Sequence, residues 1–186
     1  HFLQRGEGEH TIHDLVYYQQ YLVNIKPEDD IKLYSFRLGY FFHLICDIMW
    51  ARRIATTTKK EFKHLFDEKP KEAVGIIKDD WYGLDQLYVR DHPESNFWNV
   101  IMPNPDPPSY LPFVKDKALH QQYAHIRKYY SAQEDQWFLS LPYQYLNEET
   151  MTRMVNDSIQ AVLLVHDQVK RMENFDGLKS SLSPFP

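Results

Sequence analysis

The stretch Arg37-Leu-Gly-Tyr-Phe-Phe-His43-Leu-Ile-Cys-Asp47-Ile-Met-Trp50 decides the fold. From Leu38 to Trp50 it is apolar nearly all round, which predicts a central, buried helix over about 29–54. His43 and Asp47 interrupt it. They stand four residues apart, so both lie on one helical face. A buried charge is costly unless it is paired or bound to metal. Two readings follow from that spacing. One is a metal pair, an imidazole nitrogen and a carboxylate about a turn apart. The other is a structural His–Asp hydrogen bond holding two helices together. Gly39, one turn earlier, leaves room for an ion or ligand, and Cys46 reads as a small core residue.

Working outward, helical periodicity continues on both sides. A first helix is predicted over about 13–24, capped by Thr11. Pro27, Glu28, Asp29 and Asp30 suit the start of the second. Further helices are expected at about 58–68, 70–91 (closed by Pro93), 94–101, 115–132 and 147–173, the last capped by Asn147. Between 102 and 112 five prolines exclude a helix and predict an ordered surface loop or lid. The expected architecture is all-α: one domain, residues 1–173, of five to seven helices around the 29–54 helix. A polar tail at 174–186 reads as mobile.

The whole composition agrees. Of 186 residues, 43% are hydrophobic and 25% charged, enough for a compact core. A net charge of −5 argues against nucleic acid as the main partner, since phosphate binding needs a concentrated basic surface. Six glycines, none in a phosphate-cradling pattern, remove nucleotide-binding loops. A single cysteine excludes an internal disulfide and points to a reducing, cytoplasmic setting. No apolar run reaches the about 20 residues that span a bilayer. The chain starts at His1, not Met, so it reads as a piece of a longer one.

Other ionisable residues also fall inside apolar stripes. Asp80 sits in the stripe Ala73, Ile76, Ile77, Trp81, Leu84, Leu87, Tyr88, with Asp85 at its edge. Asp80 is either a site residue or the acceptor of a hydrogen bond from a Tyr or Trp. His166 falls in the stripe Val155, Ile159, Val162, Val169 of the last helix, more often a core position than a ligand. His1, His10 and His13 cluster at the start of the chain, whereas His120 and His125 are five apart and do not converge.

The segment 37–50 resembles the Leu-Gly-Tyr-x-x-His-x-x-x-Asp segment of the bacterial zinc-dependent phospholipase C-like family. His1-Phe2-Leu3 is similar to that family's early histidine followed by an apolar pair. Asp80-Trp-Tyr-Gly-Leu-Asp85-Gln-Leu-Tyr88 is similar to an acidic-aromatic segment of some members. The resemblance covers three short blocks in the first half of the chain. It implies an all-α bundle in which His and Asp ligands between helices hold zinc and hydrolyse phosphate esters. Carried over, His43, Asp47 and His1 would be metal ligands. Asp80 or Asp85 would be the general base or a partner behind a ligand. The segments that supply further ligands upstream in that family are absent, so one or two ions are implied, zinc or another divalent metal. The implied substrate is a small-molecule or phospholipid-like phosphate ester, attacked by a metal-activated water. The alternative is a non-enzymatic helical domain with a structural His–Asp pair. It would bind a partner or small molecule through the aromatic loops 103–112 and 137–145.

Overall fold

A computed structural model describes residues 12–69, 71–132, 136–171 and 175–183. The chain is all-α: the described residues form seven α-helices and no β-strand. They are α1 (Asp14–Tyr21), α2 (Ile31–Trp50), α3 (Thr56–Glu61), α4 (Lys63–Glu68), α5 (Ala73–Asp91), α6 (Asp116–Ser131) and α7 (Glu148–Lys170). A π-helical stretch, Ala51–Ala55, continues α2; another covers Phe97–Ile101, and a 3₁₀ turn covers Trp137–Ser140. The chain divides into two compact units. The first joins His1–Glu61 to Thr152–Pro186, and the second is Phe62–Met151.

In the first unit α2 is the central element. Its start is set by Asp30, whose Oδ1 accepts from the amides of Lys32 and Leu33, both at 3.0 Å. It buries Phe41, Leu44, Ile45, Ile48 and Met49. That is a single stripe at helical spacing, and the helix is not buried all round as expected. His43 and Cys46 are exposed on the other side. Apolar residues on every side of α2 hide which side is inward; packing partners decide it. Tyr17 of α1 stacks on Phe41, Tyr18 meets the same ring at a tilt, and the Tyr17 hydroxyl donates to the Arg37 carbonyl at 3.0 Å. Thr11, the expected cap of α1, lies outside the described residues; the helix begins at Asp14.

The segment after 174, expected as a mobile tail, is packed where it is described. Phe175 meets the Tyr18 ring edge-on with centroids 5.1 Å apart, and Ser181 and Leu182 are fully buried. Asp14, itself fully buried, anchors this strap. Its Oδ2 accepts from Ser180 Oγ (3.0 Å), Ser181 N (2.8 Å) and Ser181 Oγ (2.6 Å).

Asn147 caps α7 as expected, its Oδ1 accepting from the Thr150 amide at 2.9 Å. The buried stripe of α7 is Ser158, Ala161, Val165 and Gln168. The stripe expected from larger apolar residues is displaced: Val155 is 44% and Ile159 49% exposed. Two of the four buried positions, Ser158 and Ala161, are small, and a reading by hydrophobicity overlooks them.

In the second unit Leu65, Ala73 and Ile77 form a buried cluster with Phe62, Phe66, Ile76 and Tyr145 packed against it. The proline-rich loop is ordered by Arg127 of α6. Its guanidinium donates to the carbonyls of Ile101 (2.8 Å) and Asn104 (2.7 Å) and to Asp106 Oδ1 (2.5 Å). On α5, Gly83 lies under the 137–145 segment. A Cβ there would stand 2.8 Å from Leu141 Cδ1 and 3.0 Å from Tyr143 Cε1. Gly83→Ala is therefore expected to destabilise the protein by about 1–2 kcal/mol despite alanine's better helix propensity. A urea midpoint at or above that of the wild type would disprove this packing account.

Candidate functional site

Carboxylates and histidines draw attention wherever they are not plainly solvated. Taken in turn, the sequence-predicted residues fall into different surroundings in the two units.

In the first unit α2 presents His43 and Asp47 on its open face. Nε2 of His43 and Oδ2 of Asp47 are 3.4 Å apart, with the side chains 56% and 32% exposed. The pair is accessible and is not a buried tie between helices, which removes the structural reading of the spacing. Tyr40, one turn back, meets the His43 ring edge-on with centroids 5.7 Å apart. Partial burial pushes the Asp47 carboxyl above its ordinary range, with His43 pulling it back. Desolvation, and after it the same carboxylate, push the Tyr40 phenol and the Cys46 thiol up. Cys46 is at the surface, not in the core as expected, but its thiol is held in the unreactive neutral form. A Cβ on Gly39 would meet nothing within 4 Å, so the surface one turn before His43 is open.

The 3.4 Å separation tests whether this pair suits a metal. It is long for a charge-assisted hydrogen bond, which runs about 2.7–2.9 Å. It matches the distance, about 3.4 Å, between two ligands each about 2.0–2.1 Å from one tetrahedral ion. The donor set, one imidazole and one carboxylate, is of the type zinc takes. His1, the third expected ligand, lies outside the described residues. Among the described residues no group of three His, Cys, Asp or Glu side chains converges.

His166 is half-exposed on α7, edge-on to Phe42 at 6.0 Å, and its Nδ1 is 3.8 Å from Asp167 Oδ1. It is not the inward core residue expected. His13 has a buried Nε2 without a hydrogen-bond partner among the described residues. Two further pairs with the His43–Asp47 spacing escape a reading by apolar stripes. His64 and Glu68 are both exposed on α4, and Asp14 follows His10, which lies outside the described residues.

In the second unit Asp80 is 4% exposed. Its Oδ2 accepts from the backbone amides of Tyr145 (2.7 Å) and Leu146 (3.1 Å). The expected donor was a Tyr or Trp side chain; the actual donors are amides in a segment without regular structure, which need an acceptor when buried. This carboxylate anchors the loop ahead of α7. Asp85 Oδ2 accepts from the Tyr130 hydroxyl of α6 at 3.0 Å. Burial pushes the Asp85 carboxyl up to about 6, against the opposing hydrogen bonds from Tyr130 and Trp81. Next to it lies a cavity of about 20 Å³, room for about one water, lined by Gln86, Arg90, Trp98, Tyr130 and Phe138 among others.

Among the described residues no helix is long and apolar enough to cross a membrane. Comparison of the chain with protein-family models, with curated proteins and with solved structures returns no match.

Proposed function

We propose that the chain is a metal-dependent hydrolase of a phosphate ester or phosphodiester, with the metal held at the open face of α2. The observation that carries this reading is the accessible His43–Asp47 pair at the spacing two ligands of one ion require. The resemblance of residues 37–50 to zinc-dependent phospholipase C-like proteins supports it. His43 and Asp47 would hold zinc or another divalent cation, with His1 as a further ligand. When bound, such an ion lowers the pKa of coordinated water and offsets charge developing on a phosphoryl oxygen. The chain's own residues supply position. The stripe from Phe41 to Met49 fixes α2 in the first unit, and the i, i+4 spacing keeps imidazole and carboxylate on one side. Neither Asp80 nor Asp85 is assigned a part in hydrolysis. Asp80 is committed to backbone amides and Asp85 to Tyr130.

The test is metal content by mass spectrometry after reconstitution with zinc, in the wild type and in the His43→Ala/Asp47→Asn double variant. About one or two zinc ions per chain, lost in the variant along with turnover of a chromogenic phosphodiester, is the expected result. Both side chains reach solvent, so circular dichroism of the variant should match the wild type. Equal zinc in both proteins, or none in either, would end the proposal.

A second reading has its own observation. In the 3₁₀ turn Trp137 and Leu139 are 38% and 46% exposed, and the proline-rich loop is held rigid by Arg127. Rigid segments bearing accessible large apolar groups suit partner binding without turnover. A zinc-free wild type that still binds a partner through these loops would favour it.

A further inference from the structure

The outer side of α7 is apolar where a surface helix is ordinarily polar. Its buried positions are Ser158, Ala161, Val165 and Gln168. On roughly the opposite side, at about 100° per residue, Val155, Ile159 and Leu163 follow one another at one-turn steps. All three are exposed, at 44%, 49% and 52%. Single exposed apolar residues are normal, but no other α-helix of the described residues exposes more than two large ones. Glu148, Thr152, His166 and Lys170 fall in the same sector, about 80° wide, and all but the half-exposed His166 are exposed.

We propose that this stripe takes a second copy of this chain, the two α7 helices lying antiparallel and crossing at Ile159. The stripe is its own complement end for end. About Ile159, Val155 comes opposite Leu163 of the second copy, Thr152 opposite His166, and Glu148 opposite Lys170, at offsets of 4, 7 and 11 positions. Those offsets return to one helical face. Apolar residues therefore meet apolar ones, and at each end an acid meets a base, as an interface shared identically by two copies requires. The helix dipole by itself favours Glu148 near the N-terminus and Lys170 near the C-terminus, but it does not require either to lie on the apolar stripe. A parallel pairing would instead set Glu148 against Glu148 and Lys170 against Lys170.

One helix pair sets the strength. The 23 residues of α7, at about 1.5 Å each, give about 35 Å of helix, a contact at the low end of specific interfaces. The dimer is therefore weak, with a dissociation constant of about 1–100 µM. The charged ends fix its direction more than its affinity.

Sedimentation equilibrium of the intact chain tests this. The wild type should pass from monomer to dimer between about 1 and 500 µM. Ile159→Asp sets two carboxylates together at the crossing and should raise the dissociation constant about tenfold or more. Circular dichroism should not change, because Ile159 is exposed. Glu148→Lys should weaken the dimer about threefold, and Glu148→Lys/Lys170→Glu should restore it to within about twofold. The swapped ends oppose the helix dipole, so that recovery cannot come from a firmer helix. In a Cys46→Ser background, which removes the exposed native thiol, Ile159→Cys should join two copies through a short bismaleimide. Glu148→Cys should not, since its two copies would stand about 33 Å apart. A wild type still monomeric at about 500 µM, or a dimer indifferent to Ile159→Asp, overturns the proposal. So does a charge swap that binds no better than Glu148→Lys, or linkage at both cysteine positions.

Discussion

Asp80→Ala should destabilise the protein by about 2–4 kcal/mol, the larger of the stability losses expected in the second unit. The carboxylate accepts two backbone amides, from Tyr145 and Leu146, and its removal leaves both without an acceptor beside the Phe62, Leu65 and Ile77 cluster. Each buried amide left unpaired costs about 1–3 kcal/mol. Asp80→Asn keeps an acceptor oxygen and should cost only about 1 kcal/mol. Chemical denaturation of both variants separates this anchoring role from an acid–base role. If alanine and asparagine destabilise equally, or alanine costs under about 0.5 kcal/mol, the anchor is not what the carboxylate is for. Against the 5–15 kcal/mol that stabilises an ordinary domain, the alanine loss would be easily resolved.

The second large effect is expected at Asp14. Three donors, two from Ser181 and one from Ser180, converge on its Oδ2, and all belong to the strap that covers α1. Asp14→Ala should cost about 3 kcal/mol and detach the strap locally before the unit unfolds. Limited proteolysis should then cut within 175–183 at least tenfold faster than in the wild type. Cleavage at the wild-type rate, with a stability loss below about 1 kcal/mol, would show that apolar burial of Phe175 and Leu182 holds the strap without Asp14. The variant leaves the His43–Asp47 pair untouched, so zinc content is a control that should not change.

These two anchors mark where the sequence becomes illegible. The cap of α7 is local and reads correctly, whereas the break between α3 and α4 inside the helix expected over 58–68 does not show in the sequence. Asn147 reaches a residue three positions on, and acidic residues gather where Asp30 opens α2. The all-α class follows from periodicity repeated along the chain. Asp80 instead meets amides 65 and 66 positions away, and Asp14 meets serines 166 and 167 positions away. No spacing rule reaches that far. The direction of burial is a separate difficulty. The pairing of His43 with Asp47 was visible in their spacing, yet their openness was not, because Phe42, Ile45 and Cys46 surround them with apolar sequence. On α7 the signal pointed the wrong way: large residues face out, and Ser158 and Ala161 face in.

The division of the chain into a continuous unit and an interrupted one also sets an order of events during synthesis. Residues 62–151 form one uninterrupted stretch, so the second unit has all its partners once α7 begins to emerge from the ribosome. The first unit waits. Asp14 is made before the whole of the second unit, and the serines that satisfy it arrive about 166 positions later. At about 5–20 residues per second, that is a delay of roughly ten to thirty seconds. Throughout it Tyr18 lacks Phe175. The apolar surface of α1 around Tyr18 therefore stays uncovered through that interval, and it is a surface a holdase chaperone would be expected to meet.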